Sequence, residues 1–273
     1  MKTRFALTLM ALLPILVACK AQDGSSDTAP APAPAAETAT APAATPATDA
    51  AAPPAVGESA NAPATDTAAA PPAPAPRAPN GPEPVAGTDY LDIEGGQPYQ
   101  QAAGKIEVAE VFGYVCPACN AFQRLIGPWK AGLPSDVHFV YVPAMFGGPW
   151  DDYARAFYAA ETLGVQEKTH DALYKAIHVD QSLKGERGKD SVQDIAGFYA
   201  KYGVDSKTFI DTMSSFGVSA KTNRAKQFAT RSKITGTPSL IVNGKYLVKG
   251  QSFPDMLRIA DHLIARERAT LAK

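Results

Sequence analysis

Cys116 and Cys119 are the residues of this chain whose type and spacing could do chemistry. They enclose Pro117 and Ala118 in a Cys-x-x-Cys motif. Two thiols at this spacing can form and break a disulfide reversibly, and the thiolate is the reactive form. A structural disulfide and half of a zinc site are the alternatives. Zinc would need further ligands, and the chain has four histidines and no second cysteine pair.

The motif lies where a predicted strand meets a predicted helix. An apolar run from Ile106 to Gly113 is typical of a buried strand, and a helix is expected to continue to about Leu133. Proline suits the first helical position, because its missing N–H would have no partner there. The helix N-terminus favours a thiolate at Cys116, so Cys116 is predicted to be the exposed nucleophile. Cys119 lies one turn further in and is predicted to be the more buried, resolving thiol.

Two glutamates occur in the strand that precedes the motif. The alternation of side chains places Glu110 on the same face as Ile106, Val108 and Phe112. A carboxylate in this apolar row is unusual, although pairing with a lysine at the edge of a strand could also explain it. Glu107 points the other way, and we expect it to be an ordinary solvated acid.

The pattern after this helix predicts a strand, a helical segment, a hairpin and a last helix. The strand spans Val137 to Val142, and the helical segment runs from Pro149 to about Lys233. Asn243-Gly244 between two apolar runs is the strongest short signal for a hairpin. Together these elements predict an α/β fold.

The aromatic residues at helical spacing are interpreted as core. The four histidines form no catalytic constellation, and His178 and His262 are interpreted as surface or packing residues.

Composition and the N-terminal third indicate export. A net charge of −1 gives no reason to expect a nucleic-acid partner. Residues 1–18 combine basic residues with a short apolar run, as in a secretory signal. Small and aliphatic residues precede Cys19, as in the lipobox of bacterial lipoproteins, which implies cleavage before Cys19 and its acylation. An ordinary signal with a chance cysteine is the alternative. Residues 19–86 are mostly Ala, Pro and Thr, so we expect them to form a disordered tether.

Several spaced motifs resemble the DsbA family of periplasmic thiol:disulfide oxidoreductases. The resemblance covers about residues 88 to 273 and departs at Ala118, where the best-known members carry histidine, and at Thr237, where many carry valine. Its motifs, in chain order, are Glu110 six residues before Cys116, Cys-Pro-x-Cys, Met145-Phe146-Gly147-Gly148, Thr237-Pro238 and Val242-Asn243-Gly244-Lys245-Tyr246.

The resemblance implies a thioredoxin fold with an inserted helical domain. The fold would comprise residues 87–148 and 234–273, and the insertion would be residues 149–233. A cis Thr237-Pro238 bond would face the dithiol, with Pro117, Ala118, Thr237 and Pro238 contacting substrate. A trans proline that begins a strand is the alternative. Glu110 would be the buried acid that handles the proton of Cys119.

The resemblance also implies an activity and its partners. A monomeric oxidase would accept electrons from exported proteins with free thiols and be reoxidised by a DsbB-like, quinone-linked membrane partner. No cofactor or metal is implied. The alternative is a periplasmic reductase or isomerase that another membrane partner keeps reduced. A non-catalytic scaffold is the third possibility, which the presence of both cysteines disfavours.

Overall fold

A computed structural model describes residues 74–271 of the chain. The predicted signal peptide, Cys19 and most of the predicted tether lie outside the described residues. Five strands and seven α-helices occur in the described part, together with the 3₁₀ helix Gly185–Arg187. In chain order they are β1 (Tyr90–Asp92), β2 (Ile106–Phe112), α1 (Pro117–Ala131), β3 (Val137–Pro143), α2 (Pro149–Thr162), α3 (Gln166–His178), α4 (Val192–Ala200), α5 (Ser206–Met213), α6 (Phe216–Arg231), β4 (Ser239–Val242), β5 (Tyr246–Val248) and α7 (Phe253–Leu271).

The five strands form one mixed sheet in the order β1-β5-β4-β2-β3. Strands β2 and β3 are parallel, and the other pairs are antiparallel. β2 occupies the interior of the sheet, and all seven of its residues are buried. Such a continuous apolar run is expected for a strand that is covered on both faces.

Two apolar cores lie against this sheet. Phe122 and Ile126 of α1 pack with Leu257 and Leu263 of α7 in the first core. The second core joins the sheet to the inserted helices α2–α6, and Phe112 lies in it. The helices therefore occupy the range that was predicted to be the insertion, between β3 and β4.

The hairpin has the predicted turn. Asn243 and Gly244 have φ values of 51° and 68°, and Lys245 N donates to Val242 O at 2.9 Å. Two successive positive φ angles match the twist of the flanking strands, which is why Asn-Gly is favoured at this position.

The prediction for Glu107 was wrong. Its side chain is 2% exposed and accepts hydrogen bonds from Tyr99 N at 2.6 Å and Gln100 N at 2.5 Å. The segment before β2 covers this face of the strand, and its backbone N–H groups need an acceptor. Strand alternation shows which face a residue occupies, but not whether a distant segment covers that face.

The last part of the predicted tether also differs from the expectation. Asn80 O accepts from His262 Nε2 at 3.0 Å, and Pro82 O accepts from the Arg258 guanidinium. Glu83 pairs with Arg266 at 3.2 Å. The packed domain therefore begins before residue 87, because α7 supplies donors for this Pro-rich stretch. α1 also ends at Ala131 instead of about Leu133.

Candidate active site

Cys116 caps the N-terminus of α1. Its φ and ψ of −77° and 117° are extended, and its Sγ accepts a hydrogen bond from Cys119 N at 3.3 Å. Pro117 occupies the first turn of the helix. The sequence prediction that the motif lies at a strand-to-helix turn is therefore confirmed, and the thiol lies where helix N–H groups converge.

The surroundings of Cys116 favour its thiolate. The thiol of Cys119, the Thr237 side chain and the N–H groups of Cys119 and Ala118 donate to Sγ. They lower the Cys116 pKa from 9.0 to about 6, against the opposing effect of burial. At neutral pH about 90% of such a thiol is ionised. The prediction that Cys116 is exposed was wrong: the residue is only 7% exposed, because the segment at Thr237 lies against its Sγ.

Cys119 has the opposite character. It is fully buried at 0% exposure, and burial is the main reason why its pKa is raised well above 9. Its hydrogen bond to Cys116 and the nearby charges of Cys116 and Glu110 act in the same direction. Both cysteines are free thiols in this structure. One thiol of the pair is therefore held as an anion and the other as a neutral donor.

The loop before β4 lies against Cys116. The Thr237-Pro238 peptide bond is cis, and Thr237 O is 3.6 Å from Cys116 Sγ. Thr237 and Pro238 are partly exposed, whereas Pro117 and Ala118 are exposed. All four residues that were predicted to contact substrate therefore lie next to Cys116 and are at least partly exposed.

Glu110 lies in the centre of β2, between Tyr141 of β3 and Leu240 of β4. It is 0% exposed, and neither carboxyl oxygen has a hydrogen-bond partner. Burial raises its pKa from 4.5 to about 8; Lys130 lowers it, and the negative charge of Cys116 raises it. A carboxyl group in this position is mostly protonated at neutral pH. The expectation of a buried acid near the dithiol is consistent with this geometry.

A polar cavity of about 420 Å³ lies beside the strand that borders Glu110. Lys130 and Tyr141 both line it, and Lys130 Nζ donates to Tyr141 Oη at 3.3 Å. His170 also lines the cavity, and burial lowers its pKa to about 3, so it is neutral. Within residues 74–271, no group of three or more His, Cys, Asp or Glu side chains could hold a metal ion.

Sequence reasoning missed two residues near the turn that carries Cys116. His178 Nε2 lies 2.7 Å from Tyr114 O, and the Trp150 ring packs against Gly113. Neither position carries a local sequence signal, because both contacts depend on how the inserted helices dock. His262, the other histidine assigned to surface or packing, lies on α7 against Asn80 O.

Comparison with known proteins identifies the family. Residues 107–260 match the family described as DSBA-like thioredoxin domain. A thiol:disulfide interchange protein DsbA of Pseudomonas aeruginosa is 39% identical over 191 residues, which are 69% of this chain and 88% of the relative. The corresponding protein of Pseudomonas syringae pv. tomato is 42% identical over 187 residues, which are 67% and 85% of the two chains.

Solved structures agree with this match. The crystal structure of the oxidoreductase DsbA from Xylella fastidiosa superposes with a TM-score of 0.66 at 44% identity, and it covers 68% of this chain and 98% of that one. A Neisseria meningitidis DsbA1 at 21% identity shares the fold, with a TM-score of 0.58. The chain therefore belongs to the DsbA family of thiol:disulfide oxidoreductases, with a thioredoxin fold into which a helical domain is inserted.

Proposed function

We propose that the protein introduces disulfide bonds into exported proteins through Cys116 and Cys119. The observation that carries this proposal is the difference between the two thiols. The reduced form keeps an anion at Cys116, whose pKa is about 6, while burial keeps Cys119 neutral. Stabilising the reduced form in this way makes the disulfide form a better oxidant.

Oxidation of a client then proceeds in two exchanges. A client thiolate attacks Sγ of Cys116 in the disulfide form, which forms a mixed disulfide and releases Cys119 as a thiolate. A second client thiolate attacks the client sulfur of that mixed disulfide and releases Cys116 as a thiolate. The client loses two electrons and two protons. Cys119 takes one proton from Glu110, one client proton restores the proton of Glu110, and the other client proton goes to water.

Glu110 supplies the proton for Cys119. With a pKa of about 8, it is mostly protonated at neutral pH and can neutralise the buried thiolate as it forms. In the reverse direction its carboxylate accepts that proton and so activates Cys119. Because Glu110 has no hydrogen-bond partner, its proton is not committed to another group.

The surface around Cys116 suits an extended client segment. The exposed Pro117 and Ala118 offer apolar contact, and the backbone of Thr237 before Pro238 can pair with a client main chain. Recognition through backbone groups depends little on the client sequence, as an enzyme with many clients requires.

The N-terminal third supports a location outside the cytoplasm. Residues 1–18 serve as a lipoprotein signal, Cys19 is acylated, and the Ala/Pro-rich tether links the anchor to the domain in the bacterial periplasm. Several acyl chains together anchor a protein stably. No helix within residues 74–271 is long and apolar enough to cross a membrane. The enzyme acts as a monomer, and a DsbB-like membrane oxidase restores its disulfide.

A reductase or isomerase is the second candidate. Ala118 offers no side-chain donor to the thiolate, and no cation contributes to the low pKa of Cys116. Both features make the disulfide a milder oxidant than in relatives with a histidine at this position. The redox state of the dithiol in cells separates the two roles: oxidised for the oxidase and reduced for the alternative.

Trapping tests the proposal directly. A Cys119→Ala variant cannot resolve mixed disulfides by its own second thiol, so it should accumulate covalent adducts with exported proteins through Cys116. The matched control is Cys116→Ala, which should trap none. Reduction should release the adducts for identification. Equal trapping by the two variants, or no adducts with either, would refute the assignment.

A further inference from the structure

The inserted helical domain contacts each residue of the turn that leads to Cys116. This turn, Gly113–Val115, follows β2 directly. A Cβ atom at Gly113 would lie 2.1 Å from the Trp150 ring, so α2 packs directly onto the backbone there. Trp150 is itself held by a hydrogen bond from its Nε1 to Glu186 Oε1 at 2.9 Å.

Tyr114 is held at both ends by α3. Its hydroxyl lies 2.9 Å from His170 Nδ1, and its ring packs edge-on against Tyr174 at 5.1 Å between centroids. Its main-chain oxygen lies 2.7 Å from His178 Nε2. A carbonyl oxygen can only accept, so Nε2 of His178 carries the hydrogen and donates it.

Val115 faces the 3₁₀ helix Gly185–Arg187. A Cβ on Gly185 would lie 3.6 Å from Val115 Cγ1, and Gly185 N donates to Asp190 Oδ2 at 2.9 Å. Asp190 also accepts from Tyr153 of α2 at 2.9 Å. Hydrogen bonds within the insertion therefore hold the 3₁₀ helix in the position where it faces Val115.

We propose that His178 is a positioning residue for the thiol chemistry, acting through the Tyr114 carbonyl. Its bond restrains the peptide plane between Tyr114 and Val115, one residue before the nucleophile. The inference rests on the proposed function in one respect, namely that Cys116 is the attacked sulfur. It adds that the insertion holds this sulfur in line with the first N–H groups of α1.

The consequence follows from the direction of hydrogen bonds. The N–H groups of Ala118 and Cys119 stabilise the Cys116 thiolate only while Sγ points toward them. Without the donor from His178, the peptide plane between Tyr114 and Val115 can rotate within the turn that leads to Cys116, and Sγ spends less time in that arrangement. The thiolate, and with it the reduced form, is then less favoured.

His178 suits a clean substitution. It is the last residue of α3 and is only partly buried, so its replacement opens no cavity in the core. His178→Leu removes the donor, whereas His178→Gln keeps an N–H donor on a neutral side chain. His262→Leu is a matched control, because His262 Nε2 also lies against a backbone carbonyl, that of Asn80 at 3.0 Å, but on α7 and not on the inserted helices.

Two quantities are measured for the full chain: the Cys116 pKa from thiolate absorbance, and the equilibrium constant for exchange with glutathione. His178→Leu should raise the Cys116 pKa and shift the exchange equilibrium toward the disulfide form, each by about threefold to tenfold in equilibrium constant. His178→Gln should stay within about twofold of the wild type. His262→Leu should leave both quantities unchanged, even if it lowers the melting temperature.

The results distinguish a failure of the proposed function from a failure of the role of His178. A wild-type dithiol that does not exchange with glutathione refutes the proposed function. Exchange in the wild type with unchanged constants in His178→Leu refutes the role of His178. If His178→Gln departs from the wild type as far as His178→Leu does, the hydrogen bond to Tyr114 O is not the cause of the effect. If His178→Leu does not fold, His178→Ala decides the question by the same two measurements.

Discussion

Hydrogen bonds to Sγ lower the pKa of Cys116 in this protein. The contributing donors are the Cys119 thiol, the Thr237 side chain and two N–H groups of α1. Hydrogen bonds to an ionised group are stronger than those between neutral groups. The side chain at position 118 is exposed and is methyl-sized, so the motif leaves room for a further donor beside the sulfur.

Substitution of Ala118 tests whether a further donor strengthens the oxidant. Ala118→His should lower the Cys116 pKa below about 6, by up to about one unit, because an imidazole at the helix N-terminus can donate to the thiolate or carry a positive charge. Thiolate absorbance titrated against pH measures the shift. Ala131→His, at the other end of the same helix, should have no effect. An unchanged or higher Cys116 pKa in Ala118→His would contradict this explanation.

Glu110 makes the stability of the protein depend on pH. Its folded pKa of about 8 lies above its ordinary value of 4.5, so the folded state binds more protons than the unfolded state between these values. Stability must therefore fall as pH rises from about 4.5 to about 8, with a slope of at most about 1.4 kcal/mol per pH unit.

Glu110→Gln should remove this dependence. In the oxidised protein the Cys116 charge is absent but burial still raises the Glu110 pKa, so the free energy of unfolding of the wild type should fall between pH 5 and pH 9. In the variant the fall over that range should be clearly smaller, with the part due to Glu107, whose pKa burial also raises, remaining; the variant should therefore be the more stable at pH 9. Glu167→Gln, an exposed change on α3, should keep the wild-type slope. Parallel curves for the wild type and Glu110→Gln would show that Glu110 is not buried as an acid.

The dithiol could be predicted from the sequence alone, whereas the surroundings of the two glutamates in β2 could not. The spacing of Cys116 and Cys119 indicates the chemistry, because the dithiol and its helix are local in sequence. Glu107 and Glu110 are three residues apart and both buried, yet one accepts two backbone N–H groups and the other accepts none. That difference comes from a segment that folds over one face of β2, and no local pattern encodes it.

Among the elements, the β4-β5 hairpin combines two constraints at one residue. Gly244 has a φ of 68°, and a Cβ there would lie 2.1 Å from the carbonyl carbon of Gln97. Gly164 has nearly the same φ of 69° with no atom within 4 Å of a Cβ. The two glycines therefore separate backbone strain from crowding.

Alanine at each glycine measures the two effects. Gly164→Ala should cost about 1 kcal/mol, the strain of a left-handed conformation. Gly244→Ala should cost more, on the order of 3 kcal/mol, because the Gln97 backbone must also move. Chemical denaturation of both variants gives the comparison. Equal losses of stability in the two variants would mean that the backbone around Gln97 moves aside at no cost in free energy. The Asn-Gly signal predicts this turn from the sequence, but the approach of Gln97 is a long-range contact and is not predictable from it.

On the scale of the whole molecule, the first described residues pack against the end of α1 that is remote from the dithiol. Arg77 lies against Gly132, which caps the C-terminus of α1, whereas Cys116 caps its N-terminus. Fifteen helical residues between the two caps correspond to about 22 Å. Arg77 therefore contacts α1 at the end that is remote from Cys116.

Truncation tests where the domain begins. A chain that starts at residue 74 should retain the full free energy of unfolding of the domain. A chain that starts at residue 87 should lose about 1–3 kcal/mol, because the partners of Arg258, His262 and Arg266 and the buried Pro84 are removed. Composition predicted a tether up to residue 86, since Pro- and Ala-rich sequence carries little sign of the donors that α7 provides. Equal stability of the two chains would mean that the packed domain begins at residue 87, as composition predicted.

The equilibrium of the Cys116–Cys119 disulfide with glutathione tests the central claim most directly. A reduced form with a stabilised thiolate at Cys116 predicts that mild reductant opens this bond readily. The ratio of reduced to oxidised protein should then rise in proportion to the square of the reduced glutathione concentration divided by the concentration of glutathione disulfide. A dithiol that stays oxidised at millimolar reduced glutathione, as structural disulfides do, would contradict the assignment of this pair as a reversible redox centre.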